Sequence, residues 1–345
     1  MEICENDKKV RQVPDLFKTI QIHPTRRCNL ECLHCYSYSA PNHREMLDIK
    51  SLKRFLSFAY DNGFNNIALS GGEPFLYDHL LELLKWTKEL GYNNTMATNG
   101  MLLKSQRNQD MLEYIDLLAV SVDGKEEWHD KIRAQKGAFE KMLNGVEILR
   151  QHEKNFGFIH TITEESWQDL IWLGEFAFDN GAKLLQLHPL ENTGRAIETM
   201  NYNEINTDLS YQTYILANYL KSKYSEKMVI QLDLLHREYI DMFPSTVHGF
   251  SRDCYRENDI SAIFDNIIIE ENGRILPYSY GFNENFAIGN VHNFSLSIFE
   301  NYMAKNTVKI KKLFDTTLEK VLSNKDIELV NWNEILINES KKMAA

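Results

Sequence analysis

The stretch His23-Pro24-Thr25-Arg26-Arg27-Cys28-Asn29-Leu30-Glu31-Cys32-Leu33-His34-Cys35-Tyr36 holds three of the chain's five cysteines, at the spacing C-x3-C-x2-C. Only short loops separate Cys28, Cys32 and Cys35, so bringing their thiolates to one metal centre carries a small loop-closure entropy. Thiolates are soft ligands, suited to zinc or to an iron–sulfur cluster. A four-iron cluster held by three cysteines leaves one iron without a protein ligand, a vacancy that is chemically useful. Zinc instead needs a fourth ligand, for which Cys4, His34 and Cys254 are candidates.

Other loops carry residues of chemical interest. In Gly71-Gly72-Glu73-Pro74 the glycines let the backbone approach a ligand closely, and the Glu73 carboxylate can accept hydrogen bonds from an ammonium group. An isolated Gly-Gly-Glu also suits a plain turn capping a helix. Ser121 and Asp123, two apart at a strand end, project the same way and can bind neighbouring ribose hydroxyls, or can cap a turn. Thr98-Asn99-Gly100, by its residues alone, reads as an ordinary Asn-Gly turn. Arg195, in His188-Pro189-Leu190-Glu191-Asn192-Thr193-Gly194-Arg195-Ala196, can pair with a carboxylate or sit in a surface salt bridge. Arg26 and Arg27 read as a solvated pair.

The elements that must position these loops alternate along the chain. Asp48 caps a helix with Leu52, Phe55, Leu56 and Ala59 on one face. Strand patterns follow at 66–70, 95–98, 117–122, 157–161 and 183–188, after a first strand at 19–22; helical patterns at 76–90, 110–114, 138–150 and 166–180 separate them. Strands alternating with helices imply parallel βαβ units. Functional residues of such folds gather on loops at the C-terminal ends of the strands, where all the loops above fall. The expected fold class is α/β, a partial (β/α)6 TIM-like barrel with a small α+β C-terminal extension. The expected divisions are a core barrel at 17–200, a helical connection at 201–250 and the extension with its C-terminal helices at 251–345. Within the last part, 263–270 and 274–278 read as a hairpin around Asn272-Gly273, and 295–303 and 308–322 as two helices.

The 345 residues contain no apolar run near the roughly 18 that span a membrane. The first residues lack the apolar core of a signal peptide. An odd count of five cysteines with a tight cluster suits metal binding in a reducing compartment, hence a cytoplasmic protein without a membrane partner. A formal net charge of −11 makes a nucleic-acid partner a poor fit.

Cys28, Cys32 and Cys35, with His34 before the last of them, resemble the cluster loop of the radical S-adenosylmethionine (radical SAM) superfamily. Gly71-Gly72-Glu73-Pro74 resembles the family's second motif, and Ser121 with Asp123 its ribose contacts. The resemblance implies metal ligation by Cys28, Cys32 and Cys35. It implies cofactor binding by His34, Gly71, Gly72, Glu73, Pro74, Asn99, Ser121, Asp123 and Arg195. It further implies one [4Fe-4S] cluster and S-adenosyl-L-methionine, cleaved reductively to a 5′-deoxyadenosyl radical that abstracts hydrogen from substrate. An electron donor such as flavodoxin or ferredoxin follows from the same chemistry. Residues 272–278 and 288–291 resemble the SPASM or twitch extension, with Tyr278 where a ligating cysteine usually stands. The extension is therefore expected to keep its shape and to lack an auxiliary cluster. SPASM-like relatives mostly modify peptides, so ribosomal peptide maturation is the first expectation for the substrate, and small-molecule or cofactor biosynthesis the second. From another class, the alternative is a non-catalytic zinc-binding protein.

Overall fold

The computed structural model describes residues 17–200, 207–251 and 260–343. Cys4 and Cys254 lie outside the described residues. In chain order the strands are β1 Thr19–Ile22, β2 Asn66–Leu69, β3 Asn93–Thr98, β4 Leu117–Ser121, β5 Phe156–Ile162, β6 Leu184–Pro189, β7 Val229–Leu232, β8 Leu235–His236, β9 Asn266–Ile269, β10 Arg274–Pro277, β11 Gly289–Asn290 and β12 Leu329–Val330. The longer helices are α1 Ile49–Asp61, α2 Leu80–Leu90, α3 Glu126–Ile132, α4 Ala138–Gln151, α5 Leu170–Asp179, α6 Thr207–Tyr224, α7 Leu296–Ser323 and α8 Trp332–Lys342. The chain divides into two compact units. One comprises Ile22–Leu47 and Ile67–Leu234, the other the described parts of Met1–Gln21, Asp48–Asn66 and Leu235–Ala345.

The first unit is built on a sheet in the order β2-β3-β4-β5-β6-β7. From β3 to β7 neighbouring strands are parallel, with Val120 beside Phe158, Phe158 beside Leu185 and Leu185 beside Ile230. These four side chains are buried and form one apolar row across four strands. Each such burial contributes about 1.5–3 kcal/mol. Along β4 burial alternates, with Leu118 and Val120 fully enclosed and Leu117, Ala119 and Ser121 half-buried. One face of the sheet is thus sealed and the other only partly covered. Among the described residues β7 has no ladder beyond β6, so the sheet is open, as a partial barrel requires. Because the strands are parallel, the loops after Leu69, Thr98, Ser121, Ile162, Pro189 and Leu232 share one edge.

Several elements differ from their sequence patterns for physical reasons. The helix expected at 76–90 begins at Leu80, because Glu73 Oε1 accepts the Phe75 amide and starts a separate short turn at Pro74–Leu76. The pattern at 110–114 folds as two short turns, Gln106–Gln109 and Leu112–Tyr114. Helix α3 buries only His129 and Ile132, too few positions to signal a helix. Strand β7 contributes four residues that alternate exposed and buried, an edge pattern easily passed over.

In the second unit, Asp48 Oδ2 accepts the Ser51 amide at 2.8 Å and starts α1, whose Leu52, Phe55, Leu56 and Ala59 are buried as expected. The hairpin forms from β9 and β10, with Ile269 opposite Ile275 and Ile267 opposite Pro277, and β11 pairs with β10. Ile267, Ile268, Ile269, Ile275 and Leu276 are all fully buried. The two helices expected between 295 and 322 are one 28-residue helix, α7. The polar pair at its middle does not interrupt it, since Asn306 Nδ2 donates to Tyr302 O and Thr307 Oγ1 to Met303 O. Among the described residues no helix is long and apolar enough to cross a membrane.

Candidate active site

The cysteine loop leaves Ile22 and is stitched to the loop after β2. Ser70 N donates to Ile22 O at 2.9 Å, Gly72 N to Thr25 O at 2.9 Å and Glu73 N to Arg27 O at 2.9 Å. This close parallel run requires a glycine at 72, because a Cβ there would lie 2.3 Å from Arg27 O. Behind the loop, the Tyr36 hydroxyl sits 2.9 Å from Ser70 Oγ and 3.3 Å from His23 Nε2. Burial holds His23 neutral, with its pKa lowered to about 3.

All three cysteines of the loop are free thiols, Cys32 buried and the other two half-buried. Their electrostatics are mutual. Burial pushes Cys28 up to about 12, reinforced by the Glu73 carboxylate and by the Cys32 and Cys35 thiols. Burial also raises Cys32, against which the nearby Arg133 guanidinium acts. Unliganded, Cys28 and Cys32 are therefore protonated thiols, and metal binding to them must release protons. Arg133 NH1 donates to Cys32 Sγ at 3.7 Å, while Ser39 N donates to Cys35 Sγ at 3.3 Å. Among the described residues no group of three or more His, Cys, Asp or Glu side chains is drawn together tightly enough to enclose a single ion.

Asp123 is buried just beyond β4, with Oδ2 taken by a hydrogen bond and Oδ1 without a hydrogen-bond partner among the described residues. Arg133 Nε reaches Oδ2 at 2.5 Å and His34 Nε2 lies 3.2 Å from Oδ1. Burial opposes the charge, but Arg133, followed by His34, holds this carboxyl well below the usual range. His129 Nδ1 accepts the Asp123 amide at 3.2 Å. Ser121, half-buried at the end of β4, has no hydrogen bond from its hydroxyl among the described residues. His34 Nδ1 is buried beside the cysteines, also without a partner there. An unpartnered imidazole nitrogen on the cysteine loop and a free hydroxyl at the end of β4 are polar atoms that a bound cofactor could meet.

Glu73 is buried. Its Oε1 accepts from Thr98 Oγ1 at 2.9 Å and from Phe75 N at 3.3 Å, and Oε2 accepts from Asn99 N at 3.0 Å. Burial nevertheless pushes its pKa up to about 7. Asn99 continues the chain of contacts, its Nδ2 donating to Asn29 Oδ1 at 2.8 Å. Glu73, Thr98 and Asn99 thus join the second and third strand loops to the cysteine loop.

The structure brings Cys28, Cys32, Cys35, His34, Gly71, Gly72, Glu73, Pro74, Asn99, Ser121 and Asp123 to one edge of the sheet. Arg195 reaches the same edge, but its guanidinium donates to the carbonyls of Cys32 and Ser39 rather than to a carboxylate. Arg26 is not a merely solvated side chain either, since its Nε donates to Ser37 O at 2.9 Å. The sequence reading missed Arg133 entirely. A usable signal was its place one helical turn after His129, at the C-terminal cap of α3.

Residues 22–177 match the family described as the Radical SAM superfamily. The antilisterial bacteriocin subtilosin biosynthesis protein AlbA of Bacillus subtilis (strain 168) is 25% identical over 279 residues, covering 80% of this chain and 58% of AlbA. The AdoMet-dependent heme synthase of Methanosarcina barkeri (strain Fusaro / DSM 804) is 31% identical over 178 residues, covering 51% of each. The chain thus spans about half the length of these curated relatives. Among solved structures, Streptococcus suis SuiB bound to S-adenosylmethionine superposes with a TM-score of 0.66 at 18% identity, covering 89% of this chain and 71% of SuiB. SuiB bound to precursor peptide SuiA gives 0.64 at 16% identity, covering 96% and 73%. At such identity the likeness concerns the fold alone.

Proposed function

We propose that this protein, whose residues 22–177 match the Radical SAM superfamily, is a radical SAM enzyme whose substrate is a peptide. The observation that carries the chemistry is the loop of three free thiols stitched, backbone to backbone, to Ser70, Gly72 and Glu73. Cys28, Cys32 and Cys35 would hold a [4Fe-4S] cluster, and S-adenosylmethionine would bind beside it. When bound, that pair supplies reductive cleavage to a 5′-deoxyadenosyl radical able to abstract hydrogen.

The chain's own residues then have separable tasks. The cysteines must lose their protons, and the Arg133 N–H to Cys32 Sγ favours the thiolate. An ionised carboxylate offers about four acceptor sites, and Glu73 uses three of them on Phe75, Thr98 and Asn99. The remaining site suits the cofactor's ammonium group, which would also keep Glu73 ionised. Ser121 has a free hydroxyl for a ribose oxygen. Asp123 Oδ2 is taken by Arg133, while Oδ1, which has no hydrogen-bond partner among the described residues, is left to accept a ribose hydroxyl.

The peptide reading is supported by the similarity to AlbA, a bacteriocin biosynthesis protein, which runs over 80% of this chain, whereas similarity to the heme synthase is confined to 51%. The second reading, small-molecule or cofactor biosynthesis, is supported by the higher identity of that shorter match. An external electron donor such as flavodoxin or ferredoxin belongs to either reading. The auxiliary cluster is proposed to be absent, because Tyr278 stands at the position where its ligand is expected. That tyrosine is built into the second unit, its ring 5.9 Å from Phe314 and its amide donating to Asn266 O. Anaerobic reconstitution followed by dithionite and S-adenosylmethionine tests the proposal. It predicts 5′-deoxyadenosine in the wild-type protein and none when Cys28, Cys32 and Cys35 are replaced by Ala.

A further inference from the structure

A loop that presents side chains to a metal has few regular backbone partners of its own, yet its buried carbonyls still need donors. In this chain one short segment, just past β6, supplies several of them. Arg195 N donates to Cys35 O at 2.8 Å, Arg195 NH1 to Cys32 O at 2.6 Å and Arg195 NH2 to Ser39 O at 2.9 Å. Thr199 Oγ1 donates to Leu33 O at 2.6 Å, and the Tyr38 hydroxyl donates to Glu198 Oε1 at 2.7 Å. The Arg195 guanidinium lies 5.9 Å from the Tyr38 ring centre. Gly194 makes this approach sterically feasible. Its φ is +58°, and a Cβ would fall 2.3 Å from both Cys35 O and Tyr36 O.

We propose that Gly194–Thr199 is a clip that holds the cysteine loop in its ligand-ready conformation before any cofactor binds, with Arg195 as its principal positioning residue. The inference deepens the reading of this loop as the cluster site and rests on it. Arg195 works through backbone carbonyls on both sides of Cys35, so it sets where the thiols stand rather than touching the cofactor. Its two-pronged geometry matters as well as its charge. A lysine keeps the charge but offers one ammonium in place of a planar fork spanning Cys32 O and Ser39 O. Outer contacts of this kind typically change metal affinity by about 10–100-fold when removed.

The test uses the full chain with Arg195→Ala, Arg195→Lys and Thr199→Ala. Hydrogen–deuterium exchange on the metal-free protein reads the loop at 28–40, with β4 and β5 as internal references. The clip predicts exchange at least about tenfold faster in the loop of both Arg195 variants, a smaller increase in Thr199→Ala, and unchanged β4 and β5. After anaerobic loading with iron and sulfide, release to a chelator should be about 10–100-fold faster in both Arg195 variants than in wild type. Should Arg195→Ala fail to fold, Arg195→Lys and Thr199→Ala carry the same comparison. Wild-type exchange in the variant loops, or full restoration by lysine, overturns the clip. Loosened loops together with a wild-type protein that takes up no iron leave the clip standing and remove the cluster reading. Normal iron uptake with an unresponsive loop does the reverse.

Discussion

Arg133 donates through Nε to Asp123 Oδ2 at 2.5 Å, in a corner where both side chains are almost wholly enclosed. The same guanidinium reaches Cys32 Sγ, so one side chain ties the end of β4 to the cysteine loop. Removing one partner of such a pair leaves an uncompensated buried charge, at about 3–5 kcal/mol. Arg133→Ala should therefore destabilise the metal-free protein by roughly that amount in urea unfolding. The double variant Arg133→Met with Asp123→Leu should lose clearly less than the two single changes added together. Additive losses would mean that the pair is not coupled.

That corner also fixes an acid-side dependence. The Asp123 carboxyl is held well below its usual range, so its stabilising contribution is present above the unfolded value of about 3.9 and is lost as pH falls below it. Glu73 has the opposite sign. Its pKa is raised from 4.5 to about 7, so the unliganded protein is favoured below 4.5 and loses that contribution as pH rises through 7. His23 and His129, with pKa values lowered to about 3 and about 4, favour the folded state at higher pH and mask the Glu73 slope in raw data. The difference between wild type and Glu73→Gln isolates it, and should show stability falling by up to about 1.4 kcal/mol per pH unit between those limits. A flat difference curve would mean that Glu73 is ionised throughout.

Gly72→Ala should be damaging beyond its size. The added methyl would meet the Arg27 carbonyl, backbone rather than a yielding side chain. The cysteine loop and the loop after β2 must then part, with a loss of about 1–3 kcal/mol. Thermal unfolding measures the loss, and iron uptake after reconstitution should fall with it. An alanine variant of wild-type stability would show that the two loops are not held as closely as the structure has them.

Cofactor affinity gives a further prediction. In anaerobically reconstituted protein, Glu73→Ala should weaken S-adenosylmethionine binding by about 1.5–3 kcal/mol, the scale of a charged hydrogen bond. Ser121→Ala should weaken it by about 0.5–1.5 kcal/mol. Calorimetry decides both. Unchanged binding in Glu73→Ala would confine that residue to its structural bonds with Thr98 and Asn99.

What the sequence made legible follows the range of the interactions involved. The cysteines and Gly71-Gly72-Glu73 stand out because their chemistry is local, with residue type and spacing carrying the message. Arg133 does not, since its meaning depends on α3 bringing it back to Asp123 and Cys32 from a helix with only two buried positions. Arg195 was visible as a charge but not as a donor to carbonyls, because the path of a loop backbone leaves no trace in residue types. The join of α7 was hidden for a related reason. Asn306 and Thr307 look like a break, yet their side chains are satisfied by the preceding turn. The parallel sheet was readable from alternating patterns, except for β7, a four-residue edge strand whose pattern is too short to stand alone.

The most direct test of the whole account is the metal content of anaerobically reconstituted protein. Wild type should hold about four irons and four sulfides per chain, be brown and contain no zinc. The variant with Cys28, Cys32 and Cys35 all replaced by Ala should hold no iron, since the extension around Tyr278 is proposed to hold no cluster of its own. A second cluster surviving in that variant would contradict the reading of Tyr278, and stoichiometric zinc with no iron in the wild type would contradict the radical SAM assignment of this site.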